Sequence, residues 1–149
     1  MKSQLFYIIL AILAGAVLPL QAGLNVQLGK SVQQPIFAAF ASFLIGTIGL
    51  FIYLLMLKFD FSTMTQAKSV SPIVWIAGIL GAFYVAAVII LAPKLGTALT
   101  FSLVVGGQMV ISLIFDHYGL LGLPVKAINW QRFLGVAFLI TGVLLIRKF

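Results

Sequence analysis

Between Lys2 and Lys30 the chain carries no charged side chain, and uncharged runs of similar kind recur from Pro35 to Leu57, Pro72 to Ala92 and Gly96 to Phe115. A shorter one runs from Phe133 to Ile146. A charge at the centre of a bilayer costs at least about 2.5 kcal/mol on insertion scales, so the charged residues mark where crossings start and stop. A hydrocarbon core of roughly 30 Å takes about 20 apolar residues per helical crossing. The pattern predicts an all-α integral membrane protein with five transmembrane helices, over about 4–28, 35–57, 72–92, 96–115 and 130–147, forming a single transmembrane domain across 1–149. Hydrophobic residues make up 63% of the chain and charged residues 7%, against about 25% charged in soluble domains. Such a composition cannot furnish a water-facing surface. Five crossings with short loops use all 149 residues, leaving no room for a domain outside the membrane. The first apolar run follows Lys2 as in a signal peptide, but it is too long for one and reads as a retained first span.

The ends of the spans carry local signals. Pro19 lies within helix 1 and predicts a kink there; Lys30 closes that helix. Pro35 starts helix 2 at its first position and Lys58 ends it. Ser71 and Pro72 form an N-cap and first-turn pair for helix 3, which Pro93 is expected to stop. The PKLG turn is short enough to make helices 3 and 4 antiparallel neighbours. Asp116 and His117 mark the end of helix 4. The segment DHYGLLGLPVKAIN, broken by Gly119, Gly122 and Pro124, is expected to lie at the interface. Asn129 can cap helix 5, with Trp130 and Arg132 in one headgroup layer and Arg147 and Lys148 in the other. Packing is expected through small residues: Ala11 with Gly15, Ser42 with Gly46, Gly78 with Ala82.

Several classes of function are excluded. Without cysteine there is no disulfide, no thiolate chemistry and no Cys-based metal site. His117 is the sole histidine and cannot hold a metal alone; no metal and no cofactor is expected. The net charge of +7 comes from Lys and Arg scattered singly between apolar stretches, a pattern that does not fit a nucleic-acid partner. GxSxG, Walker A, HExxH and the Rossmann fingerprint are all missing. The two acids, Asp60 and Asp116, cannot supply a paired carboxylate site, so no enzyme is expected.

Polar residues inside the spans are the candidates for function. Gln21 and Asn25 share one face of helix 1 just beyond Pro19; they either bond helix to helix or line a polar cavity near the midplane. Gln108, Ser112 and Asp116 climb one side of helix 4 at i, i+4 and i+8, beside Gly106 and Gly107. Tyr84 in helix 3 is either a buried tyrosine seeking one hydrogen bond or a substrate contact. Asp116 and His117 form either a solvated helix terminus or a proton-exchange or gating site. Lys94 reads as an interfacial anchor.

With five spans the two termini face opposite sides. Lys2, Lys58, Lys68, Lys126 and Arg132 then lie on one face, and Lys30, Lys94, Arg147 and Lys148 on the other. Orientation follows the excess of Lys and Arg in cytoplasmic loops, and an excess of one is almost no bias. The chain is therefore expected to insert both ways and to pair with an inverted copy of itself, as the inverted repeats of many transporters do within one chain.

The stretches GAVLPLQAGLNVQLGK, LAPKLGTALTFSLVVGGQMVISLIFDHYGLLG and NWQRFLGVAFLITGVLLI resemble the YdcZ-like family of small proteins in the drug/metabolite transporter (DMT) superfamily, over nearly the whole chain. The resemblance implies a five-helix unit that works as an antiparallel pair, here a dual-topology ten-helix homodimer of DMT type, with Gln21, Asn25, Gln108 and Asp116 among the family's characteristic positions. The related small multidrug exporters use a membrane-embedded glutamate in helix 1, and this chain has no Glu, which argues against proton antiport of cationic drugs. The expected function is transport of a small solute or metabolite by alternating access, with Gln21, Asn25, Tyr84, Gln108 and Ser112 binding the cargo. A flippase or exporter of amphipathic molecules and a non-transporting scaffold are the rivals. The expected setting is the bacterial cytoplasmic (inner) membrane, with the lipid bilayer, a small-molecule substrate and the inverted copy as partners. Because the chain has no cysteine of its own, single cysteines near residues 3 and 148 test the topology: each is expected to react with an impermeant maleimide from both faces of the membrane, and one-sided labelling of each would remove dual topology.

Overall fold

A backbone in lipid has no water to bond to, so its N–H and C=O groups must pair within the segment itself, and the apolar runs can only become helices. The computed structural model describes residues 2–149 and is all-helical, with 87% of the chain in helix. Helices α1 (Lys2–Ser31), α2 (Pro35–Met56), α3 (Ala77–Leu95), α4 (Thr97–Tyr118) and α5 (Trp130–Lys148) are joined by 3₁₀ segments at Phe61–Ser69, Pro72–Ile76 and Leu120–Gly122. Among the described residues five helices are long and apolar enough to cross a membrane, the third counted from Pro72. The chain divides into two units, one ending at Pro93 and the other running from Lys94 to Phe149.

In the first unit α1 has 30 residues and runs unbroken through Pro19. At 1.5 Å per residue it is roughly 45 Å long, more than the ~30 Å core, so it must tilt or extend beyond the hydrocarbon. A tight turn at Val32–Gln34, with Gln33 at φ +54, returns the chain antiparallel as α2. Gln34 N donates to Gly29 O at 2.9 Å to close the turn. Gly29 is where the two helices meet: a Cβ on it would lie 3.2 Å from Pro35 Cα and 3.6 Å from Ala38 Cβ. Beyond it Ala38, Ala39 and Ile89 form a small buried cluster, with Val26, Leu28, Val85 and Ala86 packed around it. Gly81 on α3 receives the Phe43 ring of α2. Three glycines expected at the packing seams make no contact there within the chain: a Cβ on Gly15, Gly46 or Gly78 would meet nothing within 4 Å. Those glycines face away from the chain's own contacts, because the crossing is set by the short turn and not by the small-residue spacing.

Three boundaries differ from the sequence reading. Ser71 caps nothing with its side chain, and Pro72–Ile76 winds as a 3₁₀ turn before α3 begins at Ala77. The β-branched Ile73, Val74 and Ile76 crowd a first α-turn. Pro93 does not end α3, which continues to Leu95; its missing N–H forfeits one hydrogen bond, to the preceding turn, while its fixed φ is helical, so the last residues wind on. Helix α4 passes through Asp116 and His117 to Tyr118, where Gly119 at φ +61 ends it and donates to Phe115 O. The loop after α2 is ordered by Asp60, whose carboxylate accepts from Ser62 N at 2.9 Å and Ser62 Oγ at 2.8 Å. Those two bonds hold its pKa below the ordinary carboxylate value.

In the second unit α4 and α5 pack antiparallel, with Gly106 against Leu139. Thr100 is buried and donates Oγ to Gly96 O at 2.8 Å. Asn129 caps α5, its Oδ1 accepting from Arg132 N at 2.9 Å. Two substitutions test these contacts. Gly29→Ala presses a methyl on backbone that cannot yield and is expected to destabilise the protein by about 1–3 kcal/mol, whereas Gly15→Ala should leave unfolding in mild detergent unchanged. Gly119→Ala combines left-handed backbone, costing about 1–2 kcal/mol, with a methyl 2.7 Å from Val125 Cγ2, and should lower the midpoint further.

Candidate functional site

Gln21 lies nine residues before Lys30 on α1, roughly 13 Å along the axis, which brings it close to the middle of a ~30 Å core whose edge Lys30 marks. Asn25 lies one turn nearer that edge. Because α2 returns antiparallel, Ser42 comes opposite both. Gln21 Nε2 donates to Ser42 Oγ at 3.5 Å and Asn25 Nδ2 donates to it at 3.3 Å, both long for hydrogen bonds of this type. Asn25 is buried, at 8% exposure, while Gln21 is open to the outside of the chain. The three polar side chains edge a groove of about 270 Å³ whose other walls are aliphatic, among them Val17, Leu20, Leu24 and Ile45.

Ser42 is the residue that sequence reasoning missed. Spacing along α2 pairs it with Gly46 as a packing seam, but it is a hydroxyl at a depth matching Asn25 once the short turn fixes α2 as antiparallel. Tyr84 belongs to the same unit and is half-buried on α3, but it is not among the residues lining the groove.

In the second unit Gln108 and Ser112 are exposed on α4. A groove of about 410 Å³ between α4 and α5 is lined instead by Phe101, Ser102, Val105, Leu139, Gly142, Val143 and Ile146, so the polar stripe turns away from it. Asp116 and His117 do not stand free. Arg132 Nη1 lies 3.3 Å from Asp116 Oδ2, with the two side chains about a third exposed, and also donates to Lys126 O at 3.1 Å. Lys126 N donates to Asp116 O at 2.7 Å, and Ile128 N donates to His117 Nδ1 at 3.1 Å. These four bonds tie together the end of α4, the extended segment after it and the first turn of α5. The ion pair itself is worth no more than about 1 kcal/mol at this exposure. Among the described residues no three His, Cys, Asp or Glu side chains come together as a metal site.

The Asn25–Ser42 pair gives a direct test. In a double-mutant cycle, Asn25→Ala and Ser42→Ala should each destabilise the protein, with a coupling of about 0.6 kcal/mol and no more than about 1.7. Additive effects would show that the two side chains do not bond.

Residues 6–145 match the model of a family described as "Putative inner membrane exporter, YdcZ". No curated protein and no solved structure matches the chain. The match covers all five membrane helices in whole or large part, and its description is of transport and not of catalysis. With five apolar helices and this family, the protein is an integral protein of the inner membrane and a membrane transporter in the general sense. The chain belongs to the YdcZ-like family of the DMT superfamily.

Proposed function

We propose that the chain transports a small neutral or zwitterionic solute by alternating access, its five spans acting as one transmembrane domain paired with an inverted copy of itself. Gln21, Asn25, Tyr84, Gln108 and Ser112 would then bind the cargo, with Ser42 added to them. The observation that carries the reading is the position of Gln21: an amide near mid-depth on α1, open at the edge of a groove. A polar group left to acyl chains there costs free energy unless it is hydrogen-bonded. Gln108 and Ser112 pose the same problem on α4. A second copy enclosing a wet chamber answers for all of them, and the near-even charge of the two faces permits that copy to be inverted. Rocking of one half against the other would expose the chamber to each side in turn. The clamp formed by Asp116, His117, Arg132 and the segment before α5 is suited to gating, since releasing it would free the end of α4.

A second reading, an exporter of amphipathic molecules that enter sideways from the lipid, draws support from the aliphatic walls of the α1–α2 groove.

Protein reconstituted in proteoliposomes and offered a broad panel of labelled metabolites and amphipathic compounds is expected to accumulate at least one of them, and Gln21→Ala with Asn25→Ala to cut that uptake by tenfold or more. If nothing is moved, and the double variant leaves ligand-induced thermal stabilisation unchanged, the assignment of this site is lost.

A further inference from the structure

Ser42 has one hydroxyl hydrogen, and two side-chain amides converge on its oxygen. However the amides are turned, Ser42 can donate to only one amide carbonyl, so at least one amide must present its NH₂ to Oγ and turn its carbonyl oxygen away. In the structure both nitrogens approach Oγ, at 3.5 Å from Gln21 and 3.3 Å from Asn25. Gln21 Oε1 and Asn25 Oδ1 are thus the acceptors left over at this depth. The aliphatic side chains that complete the groove, such as Leu20, Leu24 and Ile45, carry no donor. No charged side chain lines the groove either. The two acids of the chain are used elsewhere, Asp60 on Ser62 and Asp116 beside Arg132. A permanent cation would find no counter-charge in the groove, and an anion no basic partner, which penalises both in a medium of low dielectric.

We infer that the α1–α2 groove binds an uncharged molecule with an apolar body and at least one O–H or N–H donor, an alcohol or a carboxamide, the donor meeting the free carbonyls of Gln21 and Asn25. This inference rests on the transport reading for the purpose of the groove and narrows its cargo. A volume of about 270 Å³ suits a body of one or two rings, near the lower end of ordinary ligand pockets at ~300 Å³.

The test is a matched set of probes: 2-naphthylmethanol, its methyl ether, and the corresponding trimethylammonium salt. Each is measured by equilibrium dialysis against the full chain in detergent, with a protein-free micelle blank subtracted. The alcohol is expected to bind at least tenfold more tightly than the ether, and the ammonium salt no more tightly than the ether. Gln21→Met, a change of similar volume at an exposed position, should shrink the alcohol-to-ether ratio several-fold. Equal binding of alcohol and ether overturns the donor requirement, and tightest binding of the ammonium salt overturns the exclusion of charge. Binding of none of the three, as when a second copy fills the groove, overturns the site. Failure of the transport reading is separate: a protein that selects the alcohol yet moves no compound in proteoliposomes keeps the groove's chemistry and loses the carrier role.

Discussion

Backbone hydrogen bonding without water is the constraint on which everything else here depends. Each peptide group inside the hydrocarbon must be paired within its own helix, so once charges are confined to the ends of the apolar runs, the number and place of the helices follow. The connections can then be short. Three residues separate α1 from α2, and a tight turn of this kind settles which helix ends meet before any side chain has packed.

Side-chain packing inside the chain contributes little by comparison. Among the described residues the buried apolar ones are Ala22, Ala38, Ala39, Val88, Ile89, Ala92 and Val143, mostly small, and most large apolar side chains lie outward. In lipid that is no penalty, since acyl chains are as apolar as leucine and burial against another helix brings no hydrophobic gain. Close backbone approach at Gly29, the contact of Gly106 with the Leu139 side chain and a few hydrogen bonds must hold the pairs together. Individually these are weak, which suits a molecule whose proposed work is to move one set of helices against another.

The polar groups divide along the same line. At the ends of helices they are locally satisfied: Asp60 by Ser62, Asn129 by the first turn of α5, Asp116 by Arg132 of α5, and His117 by Ile128 N in the segment before α5. Within the spans they are only partly so. Gln21 and Asn25 share one hydroxyl at long distances, and Gln108 and Ser112 lie exposed. Incomplete satisfaction at depth is costly in a resting scaffold and useful in a binding site, where the missing bonds come from the ligand.

What the sequence determined by itself was the class of fold, the count of spans and most of their limits, because these depend on which residues tolerate hydrocarbon, a property read residue by residue. The cap at Asn129 and the interruption after α4 were equally legible, being local chemistry of one turn. The seams were not. Gly15, Gly46 and Gly78 have the spacing of packing residues but meet nothing in the chain, while Gly29, unremarked in the sequence, touches Pro35 backbone. Nor could Ser42 be joined to Gln21 and Asn25, or Arg132 to Asp116, from spacing along one helix. Those pairings arise only when two helices are brought antiparallel at a particular height. Depth and rotation between neighbours are set by turn geometry and backbone contact, and one helix's periodicity carries no information about the helix that faces it.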